Sequence, residues 1–548
     1  MNRWPFLRPE FLVSFVTRSY PALLRTLAWR PTQIALSVTA LALVALLGFA
    51  PAPSHGGDAK ARPDAPDLDG GVAWLNTSNP LKLEDLKGRV VLLDFWTLCC
   101  INCIHVMPDL AKLEAKYPGV LVVIGVHTPK FENEKKTESI KKAILKYEIK
   151  HPIINDADHK IWRRFRANSW PTLVLIDTEG KIVGKASGEG NYEVLDQYIG
   201  KLVKEAKAKG TLKETPIDFQ LIKEKEDTPL FFPGKVLADK ASNRLFIADS
   251  THHRIVITDL AGQKIDIVGT GAEGFKNGTF EAAQFSDPQG MTLDGDTLIV
   301  CDRKNHAPRA VDLKARTVTT IAGTGEQDHG SRVAGGLGLK TGLNSPWDVL
   351  LHGKKYYIAM AGHHQIWTYD PATKRAVPYA GSGREDLEDD VFARAAFAQP
   401  SGLATDGKNL YVADSEVSAI RAVPFDLDGK TSTLVGEGLF EFGDIDGKGP
   451  KVRLQHALGV AYKDGKLYVA DTYNSKLKLL DPVTRVCETY LGGNDTKLFS
   501  EPAGLSFAGD KLYVADTNNH RIQVVDVTTK QTTTLPLVGV TPPARAKK

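Results

Sequence analysis

Residues 89–103 read Arg-Val-Val-Leu-Leu-Asp-Phe-Trp-Thr-Leu-Cys-Cys-Ile-Asn-Cys. The first eight are almost wholly apolar, the pattern of a strand buried on both faces. A helical stretch from about Cys100 to Tyr117 follows. Cys100 and Cys103 therefore form a C-x-x-C pair at a strand-to-helix junction. A helix N-terminus presents unpaired N–H groups and the positive end of a dipole, both of which favour a thiolate. The first thiol can then titrate below about 8.5 and become nucleophilic. Cys103 lies one turn on, in reach to resolve a mixed disulfide.

Working outward, strands at 119–126, 152–155, 172–177 and 181–186 alternate with helical stretches at 134–147, about 158–166 and about 191–206. Alternation of this kind predicts a parallel-centred α/β sheet over residues 67–206. Three further features accompany the cysteines. Asp94-Phe95-Trp96 places an acid six residues before Cys100, Pro108 follows Cys103 by five, and Trp170-Pro171-Thr172 precedes a late strand. With these, the segment resembles the thioredoxin superfamily, in its TlpA/DipZ-like branch of membrane-tethered extracytoplasmic members.

The resemblance implies a set of roles. Cys100 would attack, Cys103 would resolve, and the pair would cycle as a redox-active disulfide with no other cofactor. Asp94 would assist proton transfer at Cys103, and a cis Pro171 would shape the substrate groove. Trp96, Trp170 and Thr172 would contact an extended peptide. Cys99 stands where thioredoxins usually carry Trp, and it reads either as a small buried hydrophobe or as an accessory redox thiol. Cys99 to Cys103 also has the C-x-x-x-C spacing of copper-binding relatives. The prolines that follow their motif cysteines are Cys100 and Ile104 here, so no metal site is expected.

Beyond a Lys/Ala/Gly-rich hinge at 207–215 the texture changes to short alternating strands and Gly-rich turns. One element recurs six times: IADSTHHRI (247–255), VCDRKNHAP (300–308), IAMAGHHQI (358–366), VADSEVSAI (412–420), VADTYNSKL (469–477) and VADTNNHRI (514–522). A P-x-G or variant precedes each copy. The recurring acids are Asp249, Asp302, Asp414, Asp471 and Asp516, with Met360 in the third copy. Six such units predict an all-β six-bladed propeller over residues 216–540, with 216–224 as a possible closing strand. Each Asp should accept backbone N–H bonds from the following turn. The copies resemble NHL repeats, which implies partner binding. His253, His306, His364 and His520 share one repeat register, where Ser418 and Ser475 fill the other two copies. Such recurrence is expected of a structural turn. Cys301 and Cys487 fall in opposite blades and are not expected to pair.

Charge is unevenly placed. The chain of 548 residues carries 69 Lys+Arg and 65 Asp+Glu. Residues 1–33 hold five arginines and one acid, so the remainder is neutral and a nucleic-acid partner is disfavoured. The basic leader (1–31) precedes an uncharged run, 32–50, long enough to cross a bilayer as an anchor or to serve as a signal. A proline-rich linker, 51–66, follows. Positive charge on the near side predicts a cytoplasmic N-terminus and both folds outside, in a bacterial periplasm. The expected protein is multidomain: a transmembrane helix, a thioredoxin-like fold and a propeller. It would act as a thiol–disulfide oxidoreductase on a protein client brought by the propeller, with a separate redox partner protein. The alternative is a non-enzymatic propeller scaffold carrying a redox-sensitive adaptor.

Overall fold

A computed structural model describes residues 62–223, 228–330, 334–493 and 497–544. The expected membrane segment, 32–50, lies outside the described residues. Among those described, no helix is long and apolar enough to cross a membrane.

The α/β fold is a six-stranded sheet: β1 (Ala73–Leu75), β2 (Val90–Trp96), β3 (Leu121–His127), β4 (Ile153–Asn155), β5 (Thr172–Ile176) and β6 (Ile182–Ser187), in the order β1-β4-β3-β2-β5-β6. β2 runs parallel to β3 and antiparallel to β5. Alternation along β2 fills two layers. Val91, Leu93 and Phe95 join a core with Ile161 and Phe165, while Trp96 faces the opposite layer with Cys103, Phe131 and Ile140. The helices are α1 (Ile101–Lys116), α2 (Thr137–Lys146), α3 (Lys160–Arg164) and α4 (Tyr192–Ala208). Pro108 lies inside α1.

The repeats form six antiparallel sheets of four or five strands, one per blade. The recurring Asp ends the second strand of its blade, as in Arg244–Asp249 and Asn409–Asp414. Its carboxylate does accept a backbone N–H, but from the turn that opens its own blade, not from the turn that follows. Phe231 N donates to Asp249 Oδ1 (2.7 Å), Ser286 N to Asp302 (2.7 Å), Ala398 N to Asp414 (2.8 Å), Gln455 N to Asp471 (2.7 Å) and Ser500 N to Asp516 (2.6 Å). The second oxygen takes a buried guanidinium in several blades, Arg309 on Asp302 at 2.6 Å and Arg421 on Asp414 at 3.0 Å, all four side chains fully buried.

The glycine of each P-x-G sits where neighbouring blades converge. A Cβ on Gly459 would stand 2.0 Å from Ala503 O, and one on Gly504 2.6 Å from Lys235 Cα. Asp348 replaces this glycine in the third blade. It lies 3.4 Å from Lys235 Nζ, which also donates to Ser401 O (2.8 Å) and Leu458 O (2.6 Å), so one lysine ties four blades together.

Ring closure differs from expectation. Residues 216–223 do not complete a blade. Ile217 and Phe219 pack on the α/β core, and Ile222 N donates to Asn76 Oδ1 at 2.8 Å. The C-terminal end closes the ring instead: Lys264 N donates to Val538 O and Val538 N to Gly262 O, both at 3.0 Å. Cys301 and Cys487 are buried free thiols.

Removing one partner of a fully buried ion pair costs about 3–5 kcal/mol. Asp414→Ala strands the Ala398 N–H and takes from Arg421 its buried carboxylate, leaving it only the half-exposed Asp389. A loss of that size is expected, read as a lower midpoint in urea unfolding followed by circular dichroism.

Candidate functional site

Cys100 caps the N-terminus of α1. Its sulfur accepts from Cys103 N at 3.2 Å and lies 2.6 Å from Cys103 Sγ, both cysteines being free thiols. The Trp170–Pro171 peptide bond is cis, and Trp170 O is 3.9 Å from Cys100 Sγ. Behind the pair stands Asp94, buried, with Oδ1 lacking a partner. Burial pushes its carboxyl up to about 7, against a small opposing pull from His151. Burial drives the Cys103 thiol far up, and Cys100 and then Asp94 add to the rise.

Two expected groove residues lie elsewhere. Trp96 is 1% exposed, with its ring edge-on to His127 at 5.0 Å, so it is part of the core behind the cysteines. Thr172 is buried: it pairs with Phe95 and Ser187 in the sheet, and its hydroxyl donates to Ser169 O at 2.7 Å. Trp170 and Pro171 do flank Cys100, and the Trp170 ring packs on Trp162 at 4.8 Å.

The propeller covers the cysteine loop. Cys100 is only 9% exposed and Cys99 2%. Gln399 Nε2 donates to Cys99 O and Gln399 Oε1 accepts from Ile101 N, both at 2.9 Å. Ile101 buries its side chain among Trp347, Ala361, Leu458 and Ala503, which come from three blades. Cys99 Sγ is 3.4 Å from Glu416 Oε1, which also takes Lys130 Nζ at 2.7 Å. This Lys130–Glu416 pair is sealed, at 4% and 6% side-chain exposure. On the other side of the loop, buried Glu134 accepts from Cys99 N (2.8 Å), Thr97 Oγ1 (2.6 Å) and Lys130 N (2.8 Å).

This packing reverses the expected titration of Cys100. The Cys103 contacts do lower its thiol pKa, as a helix N-terminus should. Burial raises it more, and Glu416 and Glu385 of the propeller add to the rise. Cys99 is driven far up by burial and by Glu134 and Glu416. The accessory thiol is thus a buried, protonated group at a domain interface.

The residues that sequence reasoning missed share one register. Phe232, Asp287, Ser345, Gln399, His456 and Glu501 each stand one residue before the proline, or Ala457, that opens a blade, and all have φ between +47° and +62°. The N–H of each is received by the register of histidines and serines: His520, His253, His306 and His364 through Nδ1, Ser418 and Ser475 through Oγ. The histidine ring is therefore a backbone acceptor. Several of the six side chains point at the α/β fold: Ser345 Oγ meets His105 Nε2 at 2.7 Å, and Glu501 Oε1 accepts from Asn133 at 2.9 Å. The signal was present in the repeats, as the position whose residue type changes in every copy while its neighbours recur.

A cleft of about 1000 Å³ lies beside the loop, lined by residues such as His105, Met107, Glu189, Arg303 and Gln327. Near it, atoms of Glu148, His253 and Glu273 lie within 4.8 Å of one another. His253 Nδ1 already accepts from Asp287 N, so the neutral ring holds its proton on Nε2 and offers a donor rather than a metal lone pair.

A thioredoxin-like family model matches residues 88–182, and an NHL-repeat model matches 499–525. The chain is 33% identical over 122 residues to the thiol-disulfide oxidoreductase ResA of Bacillus cereus, covering 22% of this chain and 68% of ResA. The chain belongs to the thioredoxin-like family, fused to an NHL propeller. Two relatives share both folds. "Protein SUPPRESSOR OF QUENCHING 1, chloroplastic" of Arabidopsis thaliana is 43% identical over 470 residues, covering 80% of this chain and 44% of that protein. Human "NHL repeat-containing protein 2" is 40% identical over 485 residues, covering 80% and 66%. This thioredoxin–NHL fusion thus spans less than two thirds of either relative.

Asp94 binds its proton more tightly folded than unfolded, so it makes the folded state less stable as pH rises from about 4 to about 7. Asp94→Asn should flatten stability across that window and raise it at pH 8, measured by urea unfolding.

Proposed function

We propose that this protein is a membrane-anchored thiol–disulfide oxidoreductase whose two folds work on the outer side of the membrane. The observation that carries the reading is the Cys100–Cys103 pair at the head of α1, 2.6 Å apart, with cis Pro171 beside it and buried Asp94 behind, its Oδ1 without a partner among the described residues. The basic leader and the apolar run at 32–50 support the anchor. Cys100 loses its proton and its thiolate attacks a disulfide of a protein client. The client S–S bond breaks, a Cys100–client disulfide forms, and the departing client thiolate takes up a proton. Asp94 then receives the Cys103 proton, and Cys103 attacks Cys100 Sγ. The second client thiol leaves, with two electrons transferred and the pair oxidised. A separate redox partner returns the pair by the reverse exchange, and the propeller recruits the client.

The shielding of Cys100 favours a second reading, in which the α/β fold is a redox-sensitive adaptor on a propeller scaffold. A Cys100→Ser/Cys103→Ser protein that complements a deletion as well as wild type would select it.

The oxidoreductase reading is tested with Cys103→Ser. Mixed disulfides should accumulate through Cys100, seen on non-reducing gels and lost in Cys100→Ser/Cys103→Ser. Absence of trapped species, together with no exchange against a protein disulfide, overturns the reading.

A further inference from the structure

The face of a thioredoxin-like fold that meets a client is here occupied by its own propeller, and the contacts are specific. Gln399 presents an amide edge to the loop, donating to Cys99 O and accepting from Ile101 N at 2.9 Å each, the pairing that a neighbouring strand would supply. Ile101 is the first residue of α1, so its N–H is one of the unpaired donors that would otherwise favour a thiolate at the N-cap. Glu416 sets a carboxylate 3.4 Å from Cys99 Sγ and anchors itself on Lys130. Gln399 stands at the variable register of the repeats and Glu416 on the adjoining turn. The scaffold of each blade does not require either residue type.

Resting on the oxidoreductase reading, we propose that Gln399 and Glu416 are positioning residues of the redox centre. Docked, they fix the Cys99–Cys103 loop and hold Cys100 as an unreactive thiol, so that separation of the loop from the propeller mouth switches the pair on. The ionisable groups that face the loop are Asp94, Lys130 and Glu134 on the α/β side and Glu385, Glu416 and His456 on the propeller. Undocking removes Glu385 and Glu416 from Cys100, returns the Ile101 N–H to the helix terminus and readmits water. All three changes favour the thiolate. Lys130 would lose its buried partner and become solvated, so the open state strands no charge.

The test is the rate at which iodoacetamide alkylates Cys100 in the full chain between pH 6 and 10, read by mass spectrometry of the Cys100 peptide. Gln399→Ala should raise the rate at pH 7.5 by about tenfold, the effect of one pKa unit on thiolate fraction. Glu416→Gln should move the midpoint of the profile to lower pH. Glu501→Gln, which weakens the same interface at Asn133 away from the loop, should change neither. Wild-type rates and midpoints in the first two variants overturn the proposal. So does an equal rise in all three, which would mark general loosening of the interface. Exchange with a protein disulfide, measured in parallel, separates this failure from the other. No exchange in any variant sinks the oxidoreductase reading while the alkylation result stands. Exchange with unchanged alkylation sinks the positioning role alone.

Discussion

One glutamine amide holds two folds together at the point where the chemistry is. Gln399 reaches from the mouth of the propeller to the backbone of the cysteine loop, and much of the interface is arranged around that contact. Ile101 can bury among three blades because the loop is held against them. Lys130 and Glu416 can be charged without water because each closes on the other. Glu134 braces the loop from behind. A buried polar contact tolerates little displacement, since an unmade hydrogen bond there costs about 1–3 kcal/mol. The interface is therefore more discriminating than an apolar patch of similar extent.

The same geometry explains why the pair is not a standard exposed dithiol. A helix N-terminus alone would lower the Cys100 pKa, and the Cys103 contacts do act in that direction. Burial under a neutral amide and two carboxylates wins because removing a thiolate from water costs more than one helix end returns.

Much of the architecture was legible in the sequence, because its signals are local. An apolar run reads as a doubly buried strand, a C-x-x-C at its end as a helix cap, and a recurring Asp as the fixed acceptor of a repeat. Asp94, Cys100, Cys103 and Pro171 come together as their pattern implied. Trp96 and Thr172 were misplaced because β2 and β5 are buried on both faces along their whole length, so closeness to the cysteines in sequence does not bring a side chain to the surface. Gln399 and Glu416 were invisible for a different reason. They act across some 300 residues of chain, and a search for repeats rewards the positions that recur. The positions that vary within an otherwise constant register carry the specific contacts. Ring closure was assigned to 216–224 because that segment precedes the first blade, but Phe219 and Ile222 find apolar partners on the α/β fold first.

Closure at Val538 gives the chain an order of assembly. The outer strand of the first blade receives its last partner from residues beyond the sixth, so during synthesis the ring stays open until almost the whole chain has emerged. The α/β fold is complete long before that and can pack its own core. Its cysteine loop then has no mouth to enter. For the time needed to make six blades, the nascent protein carries the pair uncovered, and the finished ring is what first conceals it.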